Sequence, residues 1–199
     1  MTEPRRRRAA TEEKLTRILD ATEEIMLRVG YAAVSSRSVA GAVGIQAPLL
    51  HYYFPTIDDL FVAVLRRRSE QSVQRMASAL ASAEPLRAWW QLVSDPRGTA
   101  LLLELLAAAN HRPPLRDEVG KAAYEVRRLQ VETLTTLLDE YGLDPAEFPP
   151  VLIAATMQGL AFAVVADQVA GYDTAPDEAA AATARLLESL EKRRAQRLG

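Results

Sequence analysis

The sequence contains no cysteine and only two histidines among its 199 residues. The missing cysteines exclude disulfides and thiolate metal sites, and two histidines are too few for an ordinary structural zinc site. The chain also has no stretch that approaches roughly 20 uninterrupted apolar residues. Its basic start MTEPRRRR leads into charged residues instead of an apolar signal segment. We therefore expect a cytoplasmic protein that spans no membrane and requires no cofactor.

Residues for catalysis are also scarce. There is no glycine-rich phosphate loop and no clustered carboxylate pair, and Ser94, Asp95 and His111 form no recognised catalytic motif. These absences argue against an enzyme. A helical enzyme is kept as an alternative from a different functional class.

Acidic residues are missing from one part of the chain. No Asp or Glu occurs between Ile25 and Ile57, although Arg28 and Arg37 lie in that stretch. A surface that approaches phosphates has to avoid carboxylates, because phosphate contacts supply much of the affinity for nucleic acids. The stretch is therefore a candidate for contact with DNA.

Apolar residues recur at three- and four-residue spacing through most of the chain, and no alternating strand pattern is present. Proline, glycine and capping residues mark where the segments end. The pattern predicts an all-α protein, with helices at about 12–29, 36–43, 47–53, 57–80, 85–94, 98–110, 115–141, 148–170 and 176–195.

The segment SSRSVAGAVGIQAPLLHYYF has the spacing of a helix-turn-helix. Ala40 lies four residues before Gly44, and Leu50 lies six residues after it. A small residue lets two helices cross closely, and the glycine permits a tight turn. Such a unit places its second helix in the DNA major groove. A plain helical hairpin without DNA binding fits the same spacing.

Residues 18–65 resemble the N-terminal domain of the tetracycline-repressor (TetR) family of transcriptional regulators. The matching features are Gly30 with Tyr31 after helix 1, Ser35 or Ser36 at the start of helix 2, an apolar–Ala pair, a Gly–apolar turn at Gly44, and LHYYF at 50–54. The resemblance implies an N-terminal three-helix helix-turn-helix DNA-binding domain at 11–56. A larger helical ligand-binding and dimerisation domain would follow at 57–199, and residues 1–10 would form a basic, disordered arm.

The resemblance also implies how the aromatic residues are used. Leu50 and Phe54 would pack inward, His51 and Tyr53 would reach phosphates, and Tyr52 would point toward the groove. Arg37 suits a guanine, Gln46 suits an adenine, and the apolar start of helix 3 suits thymine methyl groups. The predicted DNA-binding residues are Ser35, Ser36, Arg37, Gln46, Ala47, Pro48, Leu49, His51, Tyr52, Tyr53 and Thr56.

The chain departs from the family pattern at four positions, one of which is Pro48, where the family often has glycine although proline is also seen. His51 and Tyr53 exchange the ring types that the family usually has at these positions. Ile57 replaces a lysine that is common at the start of helix 4, which removes one expected phosphate contact. Thr56 and the first amides of helix 4 are candidates to hold a phosphate instead.

Two C-terminal segments carry the predicted dimer interface. The helix at 148–170 is apolar on nearly every side and has a row of small residues. The resemblance implies that it meets its two-fold copy together with the last helix, which suits a homodimer that reads palindromic double-stranded operator DNA. The small row is Gly159, Ala163, Ala166 and Ala170, and the last helix adds Ala180, Thr183, Leu186, Leu187 and Leu190.

The middle helices would then enclose a cavity for a mainly apolar or aromatic small-molecule effector, because few polar groups converge there. The function expected is that of a ligand-responsive regulator, a repressor that releases its operator when the effector binds. An architectural DNA-binding protein without a ligand is the alternative. The predicted ligand-binding residues are Trp89, Leu102, Leu106, Asn110, Tyr124, Met157, Gln158 and Phe162.

The basic run at residues 5–8 generates a first prediction. If this arm enters the minor groove beside the operator, deleting residues 1–9 weakens operator binding and flattens its salt dependence, because fewer counterions are released. A salt titration of fluorescence anisotropy measures both quantities. Unchanged affinity in the deletion variant would show that the arm is only a solubilising tail.

Overall fold

A computed structural model describes residues 3–170 and 176–199, and both ranges are helical apart from short turns. No strand occurs in either range, which confirms the all-α prediction for them. The predicted and observed helix ends agree within a few residues, except at the start of the first helix. The helices are α1 Glu3–Val29, α2 Ser36–Val43, α3 Ala47–Tyr53, α4 Ile57–Leu80, α5 Pro85–Val93, α6 Pro96–Ala109, α7 Pro113–Tyr141, α8 Pro150–Ala170 and α9 Pro176–Leu198, with a 3₁₀ turn at Tyr31–Ala33.

The start of α1 differs from the sequence prediction of a disordered arm at 1–10. The helix begins at Glu3, so the backbone of residues 3–10 is helical. Positions 5–10 contain only arginine and alanine, which are strong helix formers. The helix can therefore begin before Thr11, the predicted N-cap. The arginine side chains at positions 5–8 lie outside the described part.

The chain divides into two compact units. The head unit is Met1–Arg68 with Leu101–Gly120, and the body unit is Ser69–Ala100 with Lys121–Gly199. The head unit is therefore larger than the predicted DNA-binding domain at 11–56, since it adds the first part of α4 and the corner between α6 and α7.

Apolar side chains from all parts of the head unit form one core, here called the head cluster. Ile18 of α1, Val39 of α2, Leu50 of α3 and Phe61 of α4 are buried in it, and Leu105 of α6 joins them. The helix-turn-helix is thus packed against α6 as well as against α1 and α4.

Polar contacts fix the α6–α7 corner to the rest of the head unit. The backbone N–H of Tyr31 donates to the Glu104 carboxylate of α6 at 2.7 Å. Arg112, in the turn before α7, pairs with Asp58 at the start of α4. The Arg112 guanidinium also lies 4.9 Å from the centre of the Phe61 ring, within cation–π range. These contacts hold both ends of the helix-turn-helix segment.

In the body unit, a buried carboxylate caps α5. Glu191 of α9 accepts hydrogen bonds from the N–H groups of Leu86 and Arg87, at 3.0 and 3.2 Å, and from the Tyr141 hydroxyl at 2.7 Å. The first N–H groups of a helix lack internal partners, and negative charge is favoured at this end. Burial, followed by the Glu191 carboxylate, raises the pKa of Tyr141 above its ordinary value, so the phenol stays protonated and donates.

Replacement of this carboxylate tests how strongly it holds the body unit. Glu191→Ala leaves a buried amide, a partly buried amide and a buried phenol without their acceptor, so the free energy of unfolding falls by about 2–4 kcal/mol. Urea denaturation measures the change. The control is Glu188→Ala on the same helix, which removes an exposed pair with Lys192 and changes stability little. Equal effects of the two substitutions would contradict the capping role.

Candidate nucleic-acid interface

A serine pair defines the start of α2. The Ser35 hydroxyl accepts from the Ser38 N–H at 3.1 Å, and the Ser38 hydroxyl accepts from the Ser35 N–H at 2.9 Å. This is a capping box in which serine replaces the usual Glu or Gln, so no carboxylate is added at this surface. Arg37, which follows in the first turn, is exposed and has no ion pair among the described residues.

A left-handed glycine turns the chain from α2 to α3. Gly44 has φ 73°, a region that favours glycine, and the Ile45 N–H donates back to the Ala40 carbonyl at 3.0 Å. Arg17 of α1 donates to the Val43 carbonyl at 2.9 Å and so satisfies part of the α2 end. The turn fixes the orientation of α3 relative to α2.

The consecutive ring residues of α3 point in different directions. Leu50 and Phe54 are buried, with exposures of 1% and 9%, as the resemblance implied. Tyr52 is 79% exposed, and its ring meets the Tyr53 ring edge-on with the centres 5.3 Å apart. Tyr53 is half-buried and packs against the head cluster, so its ring has a packing role in addition to the predicted phosphate contact.

His51 is exposed, and its Nδ1 lies 3.3 Å from the Pro55 carbonyl. Because a carbonyl only accepts, this hydrogen bond places a proton on Nδ1. In the neutral ring Nε2 is then an acceptor, so donation from Nε2 to a phosphate requires the doubly protonated ring.

Both acidic side chains at the start of α4 have bonding partners within the head unit. The Asp59 carboxylate accepts from the Thr56 N–H at 2.9 Å and from the Thr56 hydroxyl at 2.7 Å, while Asp58 pairs with Arg112. Both donors of Thr56 are therefore in use, and a phosphate at Thr56 has to displace Asp59. Ile57 is half-buried against the head cluster, so it contributes packing where the family commonly has a lysine.

The structure brings the predicted DNA-binding residues together in the head unit, on α2, α3 and the turn before α4. All of them are at least partly accessible. The exposed ones are Ser35, Arg37, Gln46, Pro48, His51, Tyr52 and Thr56, and the half-buried ones are Ser36, Ala47, Leu49 and Tyr53.

The predicted ligand-binding residues are divided between the two units. Leu102, Leu106 and Asn110 belong to the head unit, and the other five belong to the body unit. Apolar spacing along α6 did not reveal that this helix passes from one unit to the other. In the body unit Trp89 and Met157 are buried in the core, Gln158 and Phe162 are half-buried, and Tyr124 is 66% exposed.

Some residues that shape the interface were not found by sequence reasoning. Ser38 could have been identified from the sequence, since it lies three residues after Ser35, the spacing of a capping box. Glu104 and Arg112 could not have been identified from the local sequence, because their partners lie 73 and 54 residues away. Among the described residues, no group of three or more Asp, Glu or His side chains is placed to hold a metal ion.

Comparisons with known proteins find similarity to transcriptional regulators. Residues 18–64 match the profile of bacterial regulatory proteins of the tetR family. An uncharacterized HTH-type transcriptional regulator of Mycobacterium bovis is 29% identical over 53% of this chain, and the match spans 58% of that relative's length. The HTH-type transcriptional regulator CymR of Pseudomonas putida is 27% identical over 79% of this chain and 83% of its own.

The fold is also similar to solved structures. A transcriptional regulator from Saccharomonospora viridis in complex with choline superposes with a TM-score of 0.69 at 19% identity, covering 91% of this chain and 96% of that one. At this identity the likeness concerns the fold alone.

Arg37 provides the sharpest test of the interface. Arg37→Ala lowers the affinity for a selected operator by about 1–3 kcal/mol and relaxes the preference at one base pair, if Arg37 contacts a guanine edge. Because the side chain is exposed, the melting temperature stays unchanged. Fluorescence anisotropy with operator variants measures the effect, with Arg87→Ala on α5 as the control. Equal losses for both arginines would indicate a general charge effect.

Proposed function

We propose that this chain, which belongs to the tetR family of bacterial regulatory proteins, is a cytoplasmic transcriptional repressor that binds palindromic double-stranded operator DNA. The observation that carries the proposal is the division of α3 and its C-cap into a buried side, with Leu50 and Phe54, and an open side, with His51 and Tyr52. A short helix that presents polar rings beside an acid-free surface fits the major groove.

The roles of the contacts follow from their chemistry. Arg37 and Gln46 carry the donors suited to base edges, and the apolar atoms of Ala47 and Pro48 suit thymine methyl groups. His51 and Tyr53 flank Tyr52 and contact phosphates on either side. The Ser35–Ser38 box and the Thr56–Asp59 box fix the ends of the two helices, so the contacting side chains start from a rigid frame.

We propose that the repressor is a homodimer formed through α8 and α9. One side of α8 packs in the body unit, but Val151 and Leu152 are 54% and 58% exposed, and Leu186 of α9 is 61% exposed. Ala155, Gly159, Ala163 and Ala166 are exposed as well, while the Ala170 side chain lies outside the described residues. A row of small and apolar side chains supports close packing against a second copy.

The composition of α8 has another interpretation. The window Pro150–Asp167 is long and apolar enough to cross a membrane, and 28% of it is buried. The same features describe a helix whose open face is covered by a second copy. The homodimer accounts for them without a membrane.

We propose further that a mainly apolar small molecule binds in the body unit and releases the DNA. Trp89, Met157 and Phe162 supply the apolar surface. One protein of similar fold was solved with choline, which shows that the fold accommodates a small organic molecule in that case. To release DNA, the effector must bind more tightly to the conformation that does not bind the operator.

Selection of bound fragments from random duplex DNA tests the DNA-binding function. We expect enrichment of a two-fold symmetric site, because a dimer presents two identical recognition helices. Tyr52→Ala should abolish the enrichment at base pairs near the centre of each half-site and leave the melting temperature unchanged. Recovery of random sequences by the wild-type protein would contradict operator recognition and favour an architectural role.

A further inference from the structure

The two ring nitrogens of His51 differ in what they can contact. Nδ1 lies 3.3 Å from the carbonyl of Pro55, which follows the end of α3. A carbonyl only accepts, so Nδ1 carries a proton in either charge state of the ring. Nε2 has no hydrogen-bond partner among the described residues, and the side chain is exposed. What His51 can do at a DNA surface therefore depends on whether Nε2 carries a proton.

The other side chains of the proposed interface belong to types that keep one charge state near neutral pH. Arginine and tyrosine, present at Arg37, Tyr52 and Tyr53, are types that ordinarily lose a proton only at about pH 10 or above. Histidine is the side chain that ordinarily changes its charge between about pH 5 and 8. The sequence contains one other histidine, His111, which is exposed in the turn between α6 and α7.

The acidic side chains that follow α3 are already paired. Asp58 forms an ion pair with Arg112, and the Asp59 carboxylate accepts from the Thr56 hydroxyl at 2.7 Å. No ion pair joins His51 to a carboxylate among the described residues. These two aspartates are the only acidic residues in the first turn of α4.

The other elements around α3 add no acidic group beside its rings. A cleft next to Tyr52–Phe54 is lined from α1 by Thr11, Leu15 and Leu19 and from α4 by Ala63, all of which are uncharged. The one charged residue of α2 is Arg37, which is itself a cation. An imidazolium at the end of α3 thus gains no counter-charge from these side chains, whereas a DNA phosphate supplies one.

We propose that His51 contacts a DNA phosphate as an imidazolium and thereby makes DNA binding depend on pH. The inference rests on the proposed function and adds a proton to the complex. In the neutral ring Nε2 presents a lone pair, which an anion repels, while in the charged ring Nε2–H donates a charge-assisted hydrogen bond. The tyrosine that the family usually has at this position donates without any change of charge.

The direction of the pH effect follows from linkage. DNA favours the protonated ring, so the protein takes up protons on binding wherever the ring is neutral in the free protein. Affinity is highest below the ordinary titration range of histidine, at about pH 6.5, and falls as the pH rises through that range. A dimer has two such rings, so we expect a loss of at least about tenfold between about pH 6 and pH 8.

Fluorescence anisotropy at constant ionic strength tests the proposal with two duplexes, an operator selected at acidic pH and a duplex of random sequence. We expect the wild-type protein and the matched control His111→Tyr to lose affinity as the pH rises. His51→Tyr and His51→Gln present neutral donors, so their affinity should stay constant. Constant affinity of the wild-type protein, a loss that persists in both His51 variants, or a loss that disappears in His111→Tyr overturns the proposal.

Calorimetry counts the protons directly. Titrations at slightly alkaline pH in two buffers with different enthalpies of ionisation give the number of protons taken up when the duplex binds. We expect a larger uptake by the wild-type protein and by His111→Tyr than by His51→Tyr. Equal uptake by the wild-type protein and His51→Tyr contradicts a phosphate contact by the charged ring.

The random duplex separates this inference from the proposed repressor function, because every sequence carries the same phosphates. If no operator is selected but the random duplex shows the pH effect that depends on His51, the repressor function fails and the imidazolium contact stands. If an operator is selected and its affinity does not change with pH, the repressor function stands and the inference fails. Absence of binding to either duplex at acidic pH overturns both.

Discussion

The left-handed backbone at Gly44 is the constraint on which the head unit depends. With φ at 73°, the residue ends α2 and allows Ile45 to bond back to the Ala40 carbonyl. The direction of α3 follows from this turn, and that direction decides which rings are buried. A side chain with a Cβ atom would meet no neighbour at this position, so the requirement for glycine comes from the backbone alone. One residue thus places both Leu50 in the core and Tyr52 in solvent.

The parts that could be predicted from the sequence depend on local rules. Helix ends follow proline, glycine and capping residues, and the assignment of Leu50 and Phe54 to the core follows from the short α3 and the resemblance to a known domain. The contacts of Glu104 and Arg112 could not be predicted, because they join residues far apart in the chain and each involves an ordinary surface residue type. The division of the predicted ligand set between the two units could not be predicted for a related reason. Periodicity identifies the buried side of a helix but not the unit against which that side packs.

A buried carboxylate organises part of the body unit. In the body unit the Glu191 carboxylate is fully used, because it accepts from two backbone amides and from the Tyr141 hydroxyl. Such a group stabilises one arrangement of α5, α7 and α9. A buried charge that is satisfied in this way serves the fold.

The ion pair between Asp58 and Arg112 has a kinetic consequence. Asp58 lies next to the proposed phosphate-contacting surface, where an unpaired carboxylate would repel DNA during approach. Pairing with Arg112 cancels this charge at short range and leaves the potential of Arg28 and Arg37 less opposed at long range. Because electrostatic steering acts before any specific contact forms, the pair bears mainly on how often encounters are productive and little on how long a complex survives. An acidic residue at the edge of the proposed DNA-binding surface is thereby made compatible with the approach of phosphates.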